Sequence, residues 1–141
     1  MQNKSTSDLC QELMNQPDLD QYLRENRTLF SNQDVSGLLS RLYEQKTLTK
    51  AALARQANIS EVYLHQVFSS RRTPSRDRLL CICIGLGASL DETQELLKQA
   101  GYAPLYPKLK RDAIISHGLL RHLTLNAIND KLFLENERAL F

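Results

Sequence analysis

Helix-breaking residues are scarce in this chain: there are five glycines and four prolines among 141 positions. Runs of alternating β-branched residues are missing as well, so no segment reads as a β-strand. The three cysteines, Cys10, Cys81 and Cys83, are odd in number and show neither C-x-x-C spacing nor a histidine cluster nearby. That argues against a disulfide framework and a metal site, and they read as free thiols of a reducing cytoplasm. The longest apolar run, Leu79 to Ile84, falls far short of a membrane span. The polar start from Met1 to Asp8 lacks the apolar core of a signal peptide. A cytoplasmic protein without membrane contact is expected. No Gly-rich phosphate loop, Ser-His-Asp or Cys-His arrangement, or carboxylate pair is found. His117 and His122 are five apart and so do not share a helix face. No enzyme activity, metal or cofactor is expected.

What the sequence does have is an abundance of Leu, Glu, Gln, Lys, Arg and Ala, the residues that favour helices, and the expected fold class is all-α. The length suits one domain with attachments and suffices to bury a core without crosslinks. The net charge of +2 points to no partner by itself, but the charge is unevenly spread. Residues 1–33 carry three basic against five acidic side chains, residues 34–101 nine against seven, and residues 102–141 six against four. The densest cluster is Arg71, Arg72, Arg76 and Arg78, opposed in sequence only by Asp77. It reads either as a phosphate-contacting patch or as a solvated loop and helix start.

Caps and periodicity outline the helices. Ser5 or Ser7 suits the cap of a first helix running to Asn15, and Pro17 the first turn of a second through Asp18, Leu19, Tyr22 and Leu23. Asn26 to Asp34 reads as a polar linker holding Leu29 and Phe30. Val35, Leu38, Leu39, Leu42 and Tyr43 then recur at i, i+3, i+4, i+7, i+8, one apolar helical face, with Asp34 as a possible cap. Thr49 caps a helix from Lys50 to Ala57. Asn58 tolerates the left-handed turn that follows, and Ser60 caps a helix from Glu61 to Phe68. Two short capped helices joined by a tight turn are the geometry of a helix-turn-helix. Ser75 caps Arg76 to Leu86, apolar nearly all round and hence central, with Gly85 and Gly87 as its stop. Ser89 and Glu92 form a capping box opening a fifth helix that ends at Gly101. The residues expected in the core are Leu53, Ala54, Ile59, Leu64, Val67, Leu80 and Ile84.

The run Leu48-Thr49-Lys50-Ala51-Ala52-Leu53-Ala54, followed by Asn58-Ile59-Ser60, Leu64, Val67, Pro74 and Leu90, resembles the Cro/CI-type (XRE-like) helix-turn-helix family of bacterial and phage transcriptional regulators. The resemblance implies a five-helix lambda-repressor-like domain over residues 34–101, with an N-terminal helical extension over 1–33 and a C-terminal helix pair over 102–141. It implies double-stranded DNA as partner, with the helix after Ser60 in the major groove. Glu61, Val62, Tyr63, His65 and Gln66 would then contact bases, and Lys50, Ser60, Arg71, Arg72 and Arg76 phosphates. The chain departs from the family pattern at Lys50, where Gln is usual, at Phe68, where Glu is usual, and at Ser70, where Gly is usual. Phe68 with Tyr63 reads equally as an apolar contact surface, which leaves open a second function: a protein-interaction adaptor reusing the same fold. A homodimer is expected under the first reading, because one short helix reads few base pairs.

One pattern lies outside the resemblance. Residues 76–105 align without gaps on residues 111–140: Arg76-Asp77 on Arg111-Asp112, Leu79-Leu80 on Ile114-Ile115, Ser89-Leu90-Asp91 on Thr124-Leu125-Asn126, Leu97 on Leu132 and Leu105 on Leu140. Few paired positions are identical. The alignment predicts helices from about Lys110 to His122 and from Leu125 to Glu135, built like the pair before them and stacked on it.

Overall fold

A computed structural model describes residues 4–27 and 35–141 of the protein. The described residues form nine α-helices and no strand. They divide into two units, Met1–Asn32 and Gln33–Phe141.

The first unit holds α1 (Thr6–Asn15) and α2 (Leu19–Glu25). Ser5 caps α1 in a capping box with Asp8. Asp18 caps α2 by accepting from the Asp20 N–H, so Pro17 precedes the cap instead of lying in the first turn. Asn26 is not part of a linker: it is fully buried, donates to Glu12 at 2.7 Å and accepts from Lys4 at 2.7 Å. Lys4 also pairs with Glu12 at 2.7 Å. Hydrogen bonds from Lys4 and Asn26 hold the Glu12 carboxyl below the usual carboxylate range. Leu29, Phe30 and the suggested cap Asp34 lie outside the described residues.

The second unit begins with α3 (Val35–Glu44), α4 (Lys50–Gln56), α5 (Glu61–Phe68), α6 (Arg76–Leu86) and α7 (Leu90–Gln99). The caps are those the sequence suggests: Thr49, Ser60, Ser75 and Ser89 each accept from a backbone N–H in the first turn that follows. Every residue of α6 from Leu79 to Leu86 is buried, and α6 packs on α4 while α7 packs on α3 and α6. Gly87, at φ 68°, ends α6. Gly85 does not stop the helix. It lies within α6, where a Cβ would come 3.1 Å from the Ala57 nitrogen, so it permits a close crossing with α4. Of the expected core, Leu53, Ala54, Leu64, Val67, Leu80 and Ile84 are buried. Ile59 is only half-buried, since it sits in the exposed turn and reaches the core from its edge.

After α7 come α8 (Lys110–Leu120) and α9 (Leu125–Leu134). The repeat seen in sequence extends to individual hydrogen bonds. Left-handed Gly87 and Gly101 in the first hairpin correspond to left-handed His122 and Asn136 in the second. In the first, Gln94 brackets Leu105, donating to its carbonyl at 2.9 Å and accepting from its N–H at 2.7 Å. In the second, Asn129 brackets Leu140 in the same way, at 2.8 and 2.7 Å. Arg76 Nε donates to the Ala103 carbonyl at 2.9 Å, and Arg111 Nε to the Arg138 carbonyl at 2.8 Å.

The two hairpins also hold each other reciprocally. Arg76 pairs with Asp112 at 3.1 Å, and Arg111 pairs with Asp77 at 3.1 Å. Likewise α6 packs on α9 and α7 on α8. An exchange in which i meets j′ and j meets i′ is the mark of a two-fold arrangement, not of head-to-tail stacking. The Asp112 carboxylate is buried and also accepts from the Tyr106 N–H at 3.0 Å, as a buried charge requires.

Candidate nucleic-acid interface

The surface is built on the α4–turn–α5 element. Ala57 closes α4, Asn58 turns at φ 54°, and the Ile59 N–H donates to the Ala54 carbonyl at 3.0 Å. Ser60 then opens α5, its hydroxyl accepting from the Tyr63 N–H at 3.0 Å. The cap occupies an oxygen lone pair and leaves the Ser60 O–H able to donate outward.

Leu64 and Val67 point α5 into the core, and the opposite face carries Glu61, Val62, His65 and Ser69, all exposed. Beside it runs a concavity of about 550 Å³ lined by Ser40, Lys50, Val62, His65, Gln66, Phe68, Ser69 and Arg71. Five of the sequence-predicted residues thus meet on one surface: Lys50, Val62, His65, Gln66 and Arg71.

Two of the three departures from the family pattern, Lys50 and Phe68, rest on each other. The Lys50 ammonium lies 4.8 Å from the Phe68 ring centroid and 5.6 Å from that of Tyr43, and the two rings meet edge to face at 5.4 Å. The aromatic pair holds the cation at the rim by cation–π attraction. Phe68 thus carries a cation on its ring, and Tyr63 has cations of its own. Tyr63 is half-buried between the guanidinium groups of Arg78 and Arg72, at 4.9 and 5.3 Å. Burial raises its phenol pKa, against the opposing pull of the two arginines.

Arg72 Nε also donates to the Gln66 side-chain oxygen at 3.0 Å, fixing how the Gln66 amide is presented. Glu61 faces His65 at 3.4 Å, one helical turn on. Arg76 stands apart. It is turned inward to Asp112 and to the Ala103 and Pro104 carbonyls, and so belongs to the hairpin contact. Asp77 likewise answers Arg111 and Arg138, not its sequence neighbours. The arginine cluster is thus divided: Arg71 and Arg72 remain at the surface, while Arg76 is structural.

Sequence reasoning placed Arg78 only in the arginine cluster and Tyr43 only on an apolar helix face, without their ring contacts. Nothing in local spacing signals the Arg78–Tyr63 or Tyr43–Phe68 contacts, because each joins separate helices. Ser70 does hold φ 64°, the conformation that the usual glycine adopts freely, and its hydroxyl is bonded to that of Ser36.

Residues 34–96 match the family model described as a helix-turn-helix domain. Those residues have the helix-turn-helix fold. The match runs from α3 through most of α7 and is consistent with the Cro/CI-type resemblance. No curated protein and no solved structure matches the chain. A helix-turn-helix domain points in general terms to a DNA-binding regulator. Among the described residues no helix is long and apolar enough to cross a membrane.

Proposed function

We propose that the protein is a sequence-specific DNA-binding transcriptional regulator of bacterial or phage type. On this reading it acts in the cytoplasm as a homodimer, by binding alone and without a cofactor. The observation that carries the reading is the convergence of Lys50, His65, Gln66 and Arg71 on the concave outer face of α5. That is the element which enters the major groove in this fold. Gln66, with its amide oriented by Arg72, and the exposed methyl groups of Val62 are suited to base edges. Lys50, Ser60, Arg71 and Arg72 are suited to flanking phosphates.

A salt titration on mixed genomic fragments tests it. Arg71→Ala should weaken binding to all sequences alike and flatten the slope of log affinity against log salt by about one. Gln66→Ala should cost about 1–3 kcal/mol on the preferred site and little on random DNA. The rival reading is a protein-interaction adaptor, for which Phe68 and Tyr63 would have to leave their contacts with Lys50, Arg72 and Arg78. Recovery of a nuclease-resistant protein partner, with no salt-sensitive DNA binding, would decide for the adaptor.

A further inference from the structure

We infer that the outer face of the α8–α9 hairpin is a self-association surface, on which a second copy of this chain docks the same face. The inference rests on the homodimer proposed above and assigns it a location.

The repeat supplies the argument. The α6–α7 hairpin has one side against α8–α9 and another closed by α3 and α4. In the α8–α9 hairpin a groove of about 280 Å³ stands open, lined by Ile114, His117, Leu123 and Ile128 and edged by Lys110, Lys131 and Glu135. The positions matching Ile114, His117, Leu123 and Ile128 in the first hairpin are Leu79, Ile82, Ala88 and Thr93, all at most 1% exposed. Ile128 is itself buried, but Ile114 is half-buried and His117 and Leu123 are exposed, so much of a face that is core in one hairpin is uncovered in the other. Leu123 is 39% exposed and Leu120, which continues the α8 stripe, is 60% exposed. Apolar side chains gathered at the rim and floor of one groove give a partner something to bury.

The charges say which occupant fits. Lys110 and Lys131 lie 3.4 and 3.9 Å from Glu135, so the rim carries both signs close together. A two-fold operator through the groove lets Lys131 of one copy meet Glu135 of the other. This repeats between chains the reciprocal Arg–Asp exchange that joins the two hairpins within one chain. A self-complementary rim suits a second copy, because an isologous contact needs each sign on the same patch. A groove this small implies a contact below standard interface size, so a weak, concentration-dependent dimer is expected.

The test is sedimentation velocity of the full chain without DNA, from about 1 to 500 μM, with melting curves confirming that each variant is folded. The wild type should shift from monomer to dimer across this range. Leu123→Glu and Lys131→Glu should each weaken the dimer at least about tenfold. The double exchange Lys131→Glu with Glu135→Lys should restore it. A chain that stays monomeric throughout overturns both the homodimer and this surface. A dimer indifferent to Leu123→Glu and Lys131→Glu overturns the surface and leaves the homodimer standing. A double exchange no better than Lys131→Glu overturns the two-fold arrangement. DNA retention by monomeric Leu123→Glu, with an unchanged salt slope on random fragments, separates this outcome from failure of the DNA-binding reading.

Discussion

Single residues in this fold carry costs that a composition count does not reveal. Cys81 and Cys83 are buried in α6, and burial pushes both thiols up to about 12. Unfolded thiols titrate near 8.5. The folded protein therefore favours the neutral form, and its stability is undiminished below that value. As pH rises from about 8.5 through 12, the unfolded chain loses protons that the folded chain keeps, and stability should fall. Urea melts at pH 7 and pH 10 check this: the midpoint should drop at pH 10, and a Cys81→Ala/Cys83→Ala variant should drop less. Cys10 is exposed, so one thiol in three should react quickly with an aromatic disulfide reagent under native conditions. Ser70 holds a left-handed backbone where its Cβ is unwelcome. Ser70→Gly should be more stable than Ser70→Ala by about 1 kcal/mol, since both lose the hydroxyl and only glycine loses the strain. Equal chemical midpoints for the two variants would sink that account.

At the scale of elements, helix starts were the most legible feature of the sequence. Ser60, Ser75, Ser89 and Thr124 each cap by a local hydrogen bond, so the signal and its effect lie within four residues. Two positions were misjudged, one for a local reason and one for a distant one. Pro17 suits a first turn by its own geometry, but the Asp18 cap takes precedence. Gly85 looks like a stop until α4 is seen against it. Glycine at close crossings also gives a prediction for the second hairpin. Gly118 is buried in α8, and a Cβ there would collide with the Ile128 side chain of α9. Gly118→Ala gains helix propensity of roughly 1 kcal/mol, but overpacking of about 1–3 kcal/mol should outweigh it. A lowered melting temperature is expected, with partial recovery in Gly118→Ala/Ile128→Val.

Across the whole molecule, the interface was legible only in part. Lys50, Val62, His65, Gln66 and Arg71 could be gathered because the helix-turn-helix spacing fixes them on neighbouring turns. Arg76 could not be told from Arg71 and Arg72 by spacing, because its partner Asp112 lies in another hairpin. The repeat hinted at the connection, since the matched pairs Arg76-Asp77 and Arg111-Asp112 are the ones that exchange partners. Asp112→Ala should cost about 3 kcal/mol in urea unfolding, because it leaves Arg76 inward-facing and unpaired. Asp77→Ala should cost less, since Asp77 is a quarter exposed. The same clasp has a consequence in time. Asp77 lies in the first turn of the central helix, yet its partners Arg111 and Arg138 come 34 and 61 positions later. At about 5–20 residues per second, a ribosome delivers them seconds after α6 has been made. The nascent domain must wait through that interval with its first hairpin unclasped, so the step that completes it is the arrival of the second hairpin and the segment after it.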